Sequence, residues 1–163
     1  MTPQVGIALG VGLVASVEDL VRRRISNWIP AAAFLSGVGI ACMEHGWRGL
    51  VSALLGTACG FTVFLLFYLL GGMGGGDIKL MAGFGSVLGS GRSGVWWHPF
   101  EAVLWAALWV AICGAILALA VIAFGALRRL FRKAEAEASR RSESIPYAPA
   151  IALGVWLSLV PKV

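Results

Sequence analysis

The sequence predicts an all-α polytopic membrane protein of six transmembrane helices, with both termini on the non-cytoplasmic side. Three observations lead there. Hydrophobic residues make up 59% of the 163, and the mean hydropathy is +0.86. The apolar residues come in runs, several of them close to the ~20 residues a helix needs to cross hydrocarbon. Basic residues gather between alternate runs, as they do in loops that stay in the cytoplasm. Charged residues are only 13% of the chain, against roughly 25% in a soluble domain. The length fits a single membrane-embedded domain, residues 1–163.

The first run, Pro3–Val21, has no Lys or Arg before it, so it reads as a retained span and not as a secretory signal. Its purely apolar part, Val5–Val17, falls short of the ~20 residues needed. Helix one is therefore expected to continue past Asp19 to about Arg22, with the Asp19 carboxylate facing the bundle. Trp28–Met43 and Leu50–Leu70 supply the second and third runs. The chain then breaks at "GGMGGGDIKL", Gly71 to Leu80. A fourth run, Ile78–Leu88, is short and rich in glycine, so it tilts or borrows length from the "SGVWWHPF" that follows. The fifth, Ala102–Leu127, is unbroken. Arg128–Ser144 reads as a charged cytoplasmic loop, and Ile145–Val160 as the last span. Glycines at GxxxG spacing (Gly6 and Gly10, Gly56 and Gly60, Gly85 and Gly89) are expected to let helix backbones meet closely in lipid.

Six spans put Arg22, Arg23, Arg24, Lys79, Arg128, Arg129, Arg132, Lys133, Arg140 and Arg141 on one side. The other side receives Arg48, Arg92 and Lys162, which completes the 13 basic residues. The positive-inside rule assigns the rich side to the cytoplasm. The net charge of +5 lies in short loop clusters and not on a basic, aromatic surface, which speaks against nucleic acid. Tryptophans fit interfacial belts in the membrane lipid. Cys42, Cys59 and Cys113 each stand alone in apolar runs, so they read as small buried apolar residues. Neither a disulfide framework nor a metal site is expected, since zinc needs about four convergent ligands.

The chain holds two aspartates, Asp19 and Asp77, and the span count puts both at the cytoplasmic side. An acid near hydrocarbon is costly unless it is paired or functional. Two carboxylates facing one another across a water would share one proton, because like charges cannot both ionise at close range. The ionised member then takes a proton from the attacking water, while the protonated one polarises a peptide carbonyl. The glycines Gly74, Gly75 and Gly76 would admit an extended peptide without side-chain obstruction. Bland readings remain open from these residues alone. Asp19 could pair with Arg22 or Arg23, Asp77 with Lys79, and the glycine run could be a plain connector. A proton-coupled transporter, or a membrane subunit of a secretion machine, could use the same two acids.

Within "GGMGGGDIKL", Gly74, Gly75, Gly76 and Asp77 resemble the GxGD motif of the type IV prepilin peptidases, with Lys79 following. "EDLVRRRISNW", Glu18 to Trp28, is similar to that family's first-aspartate motif. Asp19 takes the aspartate position, Arg23 and Arg24 the basic pair, and Ile25 and Asn27 flank the turn; Ser26 replaces the frequent proline. "SIPYAPAIALG", Ser144 to Gly154, resembles the family's last-span segment, with Ala148 where glycine is common. The resemblance implies an aspartyl endopeptidase of the bacterial inner membrane, with Asp19 and Asp77 as its catalytic pair and no cofactor. Its substrate would be a prepilin whose basic leader is removed at the cytoplasmic face. Larger members add two CxxC pairs and methylate the new N-terminus. This chain has no such pairs, so it looks like the short, peptidase-only form of Flp or tight-adherence pilus systems.

Other polar residues carry weaker expectations. Glu18, about 100° around the helix from Asp19, reads as an interfacial charge. Lys79 reads as a membrane anchor that could also tune Asp77. Pro146 and Tyr147 are candidates to line the site, a packed aromatic being the alternative for Tyr147. His45 and His98 read as solvated loop residues on the outer side.

Overall fold

The computed structural model describes residues 3–71, 73–91, 98–131 and 147–159, the last seven before position 132 by their backbone only. These residues form five helices: α1 (Pro3–Arg22), α2 (Trp28–Leu69), α3 (Gly75–Gly89), α4 (His98–Phe131) and α5 (Ala148–Leu159). Three of them, α1, α2 and α4, are long and apolar enough to cross a membrane. Their outward faces are apolar too: Leu13, Val17 and Leu20 on α1 and Ile116, Leu119 and Ile122 on α4 are all exposed. Lipid is the solvent that suits such faces.

Helix α2 joins the second and third predicted runs and is broken between them at Gly46, whose φ of 56° and ψ of −136° are not helical. That corner of backbone space is open only to glycine. On either side of the break the contacts run in opposite senses. In the first limb, Pro30 and Ala33 lie against Gly83, and Gly37 against Ser86. In the second, Gly60 lies against Met81, Gly56 against Gly85 and Ser52 against Gly89. The first limb is thus parallel to α3 and the second antiparallel, which makes α2 a hairpin with α3 laid between its limbs.

Helix α3 is the centre of the bundle. Ile78, Leu80, Met81 and every residue from Gly83 to Gly89 are buried. At 15 residues it is about 22 Å long, well short of the ~30 Å hydrocarbon core. It ends at Gly89 and does not extend into "SGVWWHPF", whose His98, Pro99 and Phe100 open α4. Protein encloses it on several sides, so it needs no long lipid-facing surface. Glycines make that enclosure possible: Gly56, Gly85 and Gly89 bring two backbones together as expected for GxxxG pairs. Gly6 and Gly10 have no neighbour within 4 Å where a Cβ would stand, so that pair packs nothing among the described residues. Ser52 Oγ adds a hydrogen bond to the Gly89 carbonyl at 2.7 Å.

Helix α5 lies between α1 and α4. Gly12 receives Trp156, whose Nε1 donates to the Ala8 carbonyl at 2.9 Å, and Gly154 meets Val110. The buried face of α1 is Gln4, Ala8, Gly12, Ala15 and Asp19, spaced by three or four residues as one helical stripe.

Several expectations need correction. Helix α4 continues through Phe131, so the first four residues of the expected 128–144 loop are helical; the rest of that segment lies outside the described residues. So do Arg92, Pro146 and Lys162. Cys42 is exposed and Cys59 and Cys113 half-buried, all three unbridged, because the apolar runs that carry them also face outward. His45 is no loop residue: it sits in α2 beside the break, its Nδ1 buried without a partner among the described residues. His98 opens α4. Trp28 and Trp47 are exposed near helix ends, as belts require, whereas Trp105 and Trp109 stack edge to face inside α4.

Candidate active site

Asp19 closes the buried stripe of α1, one turn before the helix ends at Arg22. Its side chain is 7% exposed, so the expected continuation of helix one past Asp19 holds. The carboxylate reaches the start of α5, where Oδ2 accepts the Ala148 N–H at 3.0 Å. The first N–H groups of a helix have no partner within it, and Asp19 satisfies one of them from 129 residues away.

Asp77 stands in the first turn of α3 and is also 7% exposed. Its Oδ2 accepts the Gly74 N–H at 3.0 Å. This is half of a capping box, since Gly74 has no side chain with which to return the bond. Both acids therefore have one oxygen fixed at a helix start. Among the described residues neither Oδ1 has a hydrogen-bond partner. The turn that follows α1 packs on the start of α3, with Ile25 against Gly76, the residue before Asp77, so the two carboxyls share one end of the bundle.

The simple ion pairs are not those present. Arg22 faces Glu18 at 3.6 Å, the one salt bridge among the described residues. Lys79 donates to Asn27 Oδ1 at 2.9 Å and not to Asp77. Glu18 accepts the Ser26 N–H at 3.1 Å and its hydroxyl as well. Glu18 thus fastens the turn after α1, which is more than an interfacial charge does.

The glycine run divides into unlike parts. Gly71 has φ of 76°, the left-handed region that glycine enters without penalty, and there it turns the chain out of α2. Gly74 is extended at the start of α3, and Gly75 and Gly76 are already helical. The backbone before Asp77 is thus ordinary helix, and the unusual φ belongs to Gly71. A Cβ on Gly75 would meet nothing within 4 Å, while one on Gly76 would fall 3.3 Å from Ile25 Cβ. Open space lies beside Gly75, and Gly76 is covered by the α1–α2 turn. Tyr147 is half-buried. Its carbonyl accepts from Ile151 in α5, and its ring lies beside Gly114 of α4.

Sequence reasoning placed Ser26, Asn27 and Ala148 only as motif positions and gave them no role in the site. Ser26 and Asn27 carried a signal, as polar side chains in a turn right after an intramembrane acid. Ala148 acts through its backbone and carried none. No group of three His, Cys, Asp or Glu among the described residues could hold a metal ion.

A bundle of apolar helices with two buried carboxyls at one end defines a membrane-embedded protein with an acidic site. The model of the type IV leader peptidase family matches residues 6–123, and the chain belongs to that family. The match takes in Asp19, the whole glycine run and Asp77. No curated protein and no solved structure matches the chain.

Proposed function

We propose that this protein is an aspartyl endopeptidase of the bacterial inner membrane that removes the leader of Flp-type prepilins at the cytoplasmic face. Asp19 and Asp77 are its catalytic pair. The observation behind this reading is that the chain's only two aspartates lie at the same end of the bundle, each buried and each held by a helix-start N–H. A carboxyl placed only to cap a helix gains nothing from lying near a second acid, since like charges repel.

The chemistry follows from the geometry. The Oδ2 atoms are occupied and hold each carboxyl in orientation, which leaves the Oδ1 atoms for water and substrate. The pair holds one proton between its two carboxyls. The ionised member removes a proton from water as its oxygen adds to the scissile carbonyl carbon, and the protonated member donates to the carbonyl oxygen. Collapse of the tetrahedral intermediate breaks the C–N bond, and the proton taken from water passes to the leaving amine. Gly74 and Gly75 leave room for the extended peptide beside Asp77.

In this reading the two limbs of α2 cross separately, so the chain spans six times with both termini outside. Single cysteines in a background freed of Cys42, Cys59 and Cys113 test it. A cysteine at Met43, which is 88% exposed, labels from the periplasmic side, and one at Arg24 labels only after permeabilisation. Periplasmic labelling at Arg24 would reverse the orientation and the cytoplasmic site with it.

The function itself is tested by co-expression with an Flp-type prepilin, followed by N-terminal sequencing and mass measurement of the product. The expected product lacks its leader and carries an unmethylated N-terminus. An uncut precursor beside well-folded protein rejects the substrate class, and a methylated product rejects the peptidase-only form.

A further inference from the structure

Glu18 and Lys79 are close neighbours of the two aspartates in sequence, yet both turn away from them. On a helix, successive residues are rotated by about 100° and alternate ones by about 200°. What they hold instead is the five-residue turn 23–27 between α1 and α2. Arg23 bends the chain back with φ of 51°, a conformation that residues with side chains adopt rarely. Ser26 then returns to Glu18 through its N–H and its hydroxyl. Ile25 rests on Gly76, immediately before Asp77. Asn27 occupies the N-cap position of α2, where its side chain would ordinarily accept an N–H of its own helix. It makes no such bond, and its Oδ1 accepts from Lys79 instead.

Every side-chain bond in this turn therefore leads away from α2, toward α1 at one end and α3 at the other. We propose that the 23–27 turn is a strap that fixes α1 against α3, and that Glu18, Ser26, Asn27 and Lys79 are positioning residues for the Asp19–Asp77 pair. The proposal rests on the reading of those acids as catalytic. The Lys79–Asn27 bond is exposed, and exposed polar bonds contribute little to stability. A small displacement of a catalytic group, by contrast, costs rate steeply. A strap variant should accordingly lose turnover while it keeps its folded yield and its substrate affinity.

The test uses the full chain in detergent or vesicles, with a prepilin that the parent enzyme cleaves. Lys79→Met and Asn27→Leu each lower kcat about 10- to 100-fold, with KM within about twofold of the parent. The double variant is no slower than the slower single one, because both substitutions remove the same bond. Lys79→Arg, which can still donate to Asn27, keeps most of the rate. Parent-like kcat in both single variants overturns the strap. So does a rise in KM alone, which would make Lys79 a substrate contact, or a purely additive double variant. Loss of folded protein at unchanged kcat per folded molecule overturns it too. Asp19→Asn, run in parallel, separates the two levels: its inactivity beside an unaffected Lys79→Met rejects the strap alone, and its activity rejects the catalytic pair beneath.

Discussion

Asp19→Asn and Asp77→Asn each abolish prepilin cleavage while the protein inserts and folds normally. Asparagine keeps a side-chain carbonyl oxygen, so the bonds from the Ala148 and Gly74 N–H groups survive the substitution and the starts of α5 and α3 stay capped. What disappears is the group that can exchange a proton. General acid–base catalysis contributes about 10²–10⁴-fold, and neither acid can do the other's work once the pair is broken. Alanine is a poorer probe, because it also strips an N–H of its partner at a helix start and costs about 1 kcal/mol of cap. The readout is precursor and product on a gel beside the amount of folded enzyme. Clear cleavage by either asparagine variant at normal folded yield would remove that residue from the mechanism.

Gly85→Val dismantles the bundle before any chemistry is reached. A Cβ on Gly85 would lie 2.8 Å from the Gly56 carbonyl carbon and 3.1 Å from Thr57 Cα. Both are backbone atoms of the second limb of α2 and have no rotamer through which to retreat. The helices must move apart, and α3 is the element on which both limbs of α2 pack. Inserting bulk into a packed core costs about 1–3 kcal/mol even where side chains can adjust, so the expected result is loss of most folded monomer on size-exclusion chromatography in detergent. Gly39→Val is the matched control: it adds the same side chain in mid-helix, at an exposed site with no neighbour within 4 Å. Equal folded yields of the two would mean that the Gly56–Gly85 approach is not what holds α3 in place.

The class of fold was legible in the composition, because lipid imposes its demands on whole segments. Apolar runs of the right length marked α1, both limbs of α2 and α4 within a few residues. The two acids stood out for the same reason, as groups a membrane segment does not carry idly. The motifs around them led to the family that the match over residues 6–123 bears out. The centre of the bundle was the hardest part to read. Helix α3 is short and full of glycine, features that resemble a weak span when the chain is read alone. Its glycines serve close contacts with α2; the GxxxG spacing of Gly85 and Gly89 marked a close approach without saying which helix it would meet.

By itself, then, the sequence determined that the chain is a bundle of apolar helices and that Asp19 and Asp77 are its exceptional residues. Hydropathy and charge are properties of segments, and they act whatever the partners turn out to be. Only the tertiary structure decided what each acid touches. It put Asp19 at the start of α5, 129 positions along the chain, and it turned Lys79 toward Asn27 and away from Asp77. It also put the left-handed glycine at Gly71 and covered Gly76 with Ile25. Hydrogen bonds and steric contacts depend on positions matched to within a fraction of an ångström between residues far apart in the chain, and those positions exist only once the helices have packed.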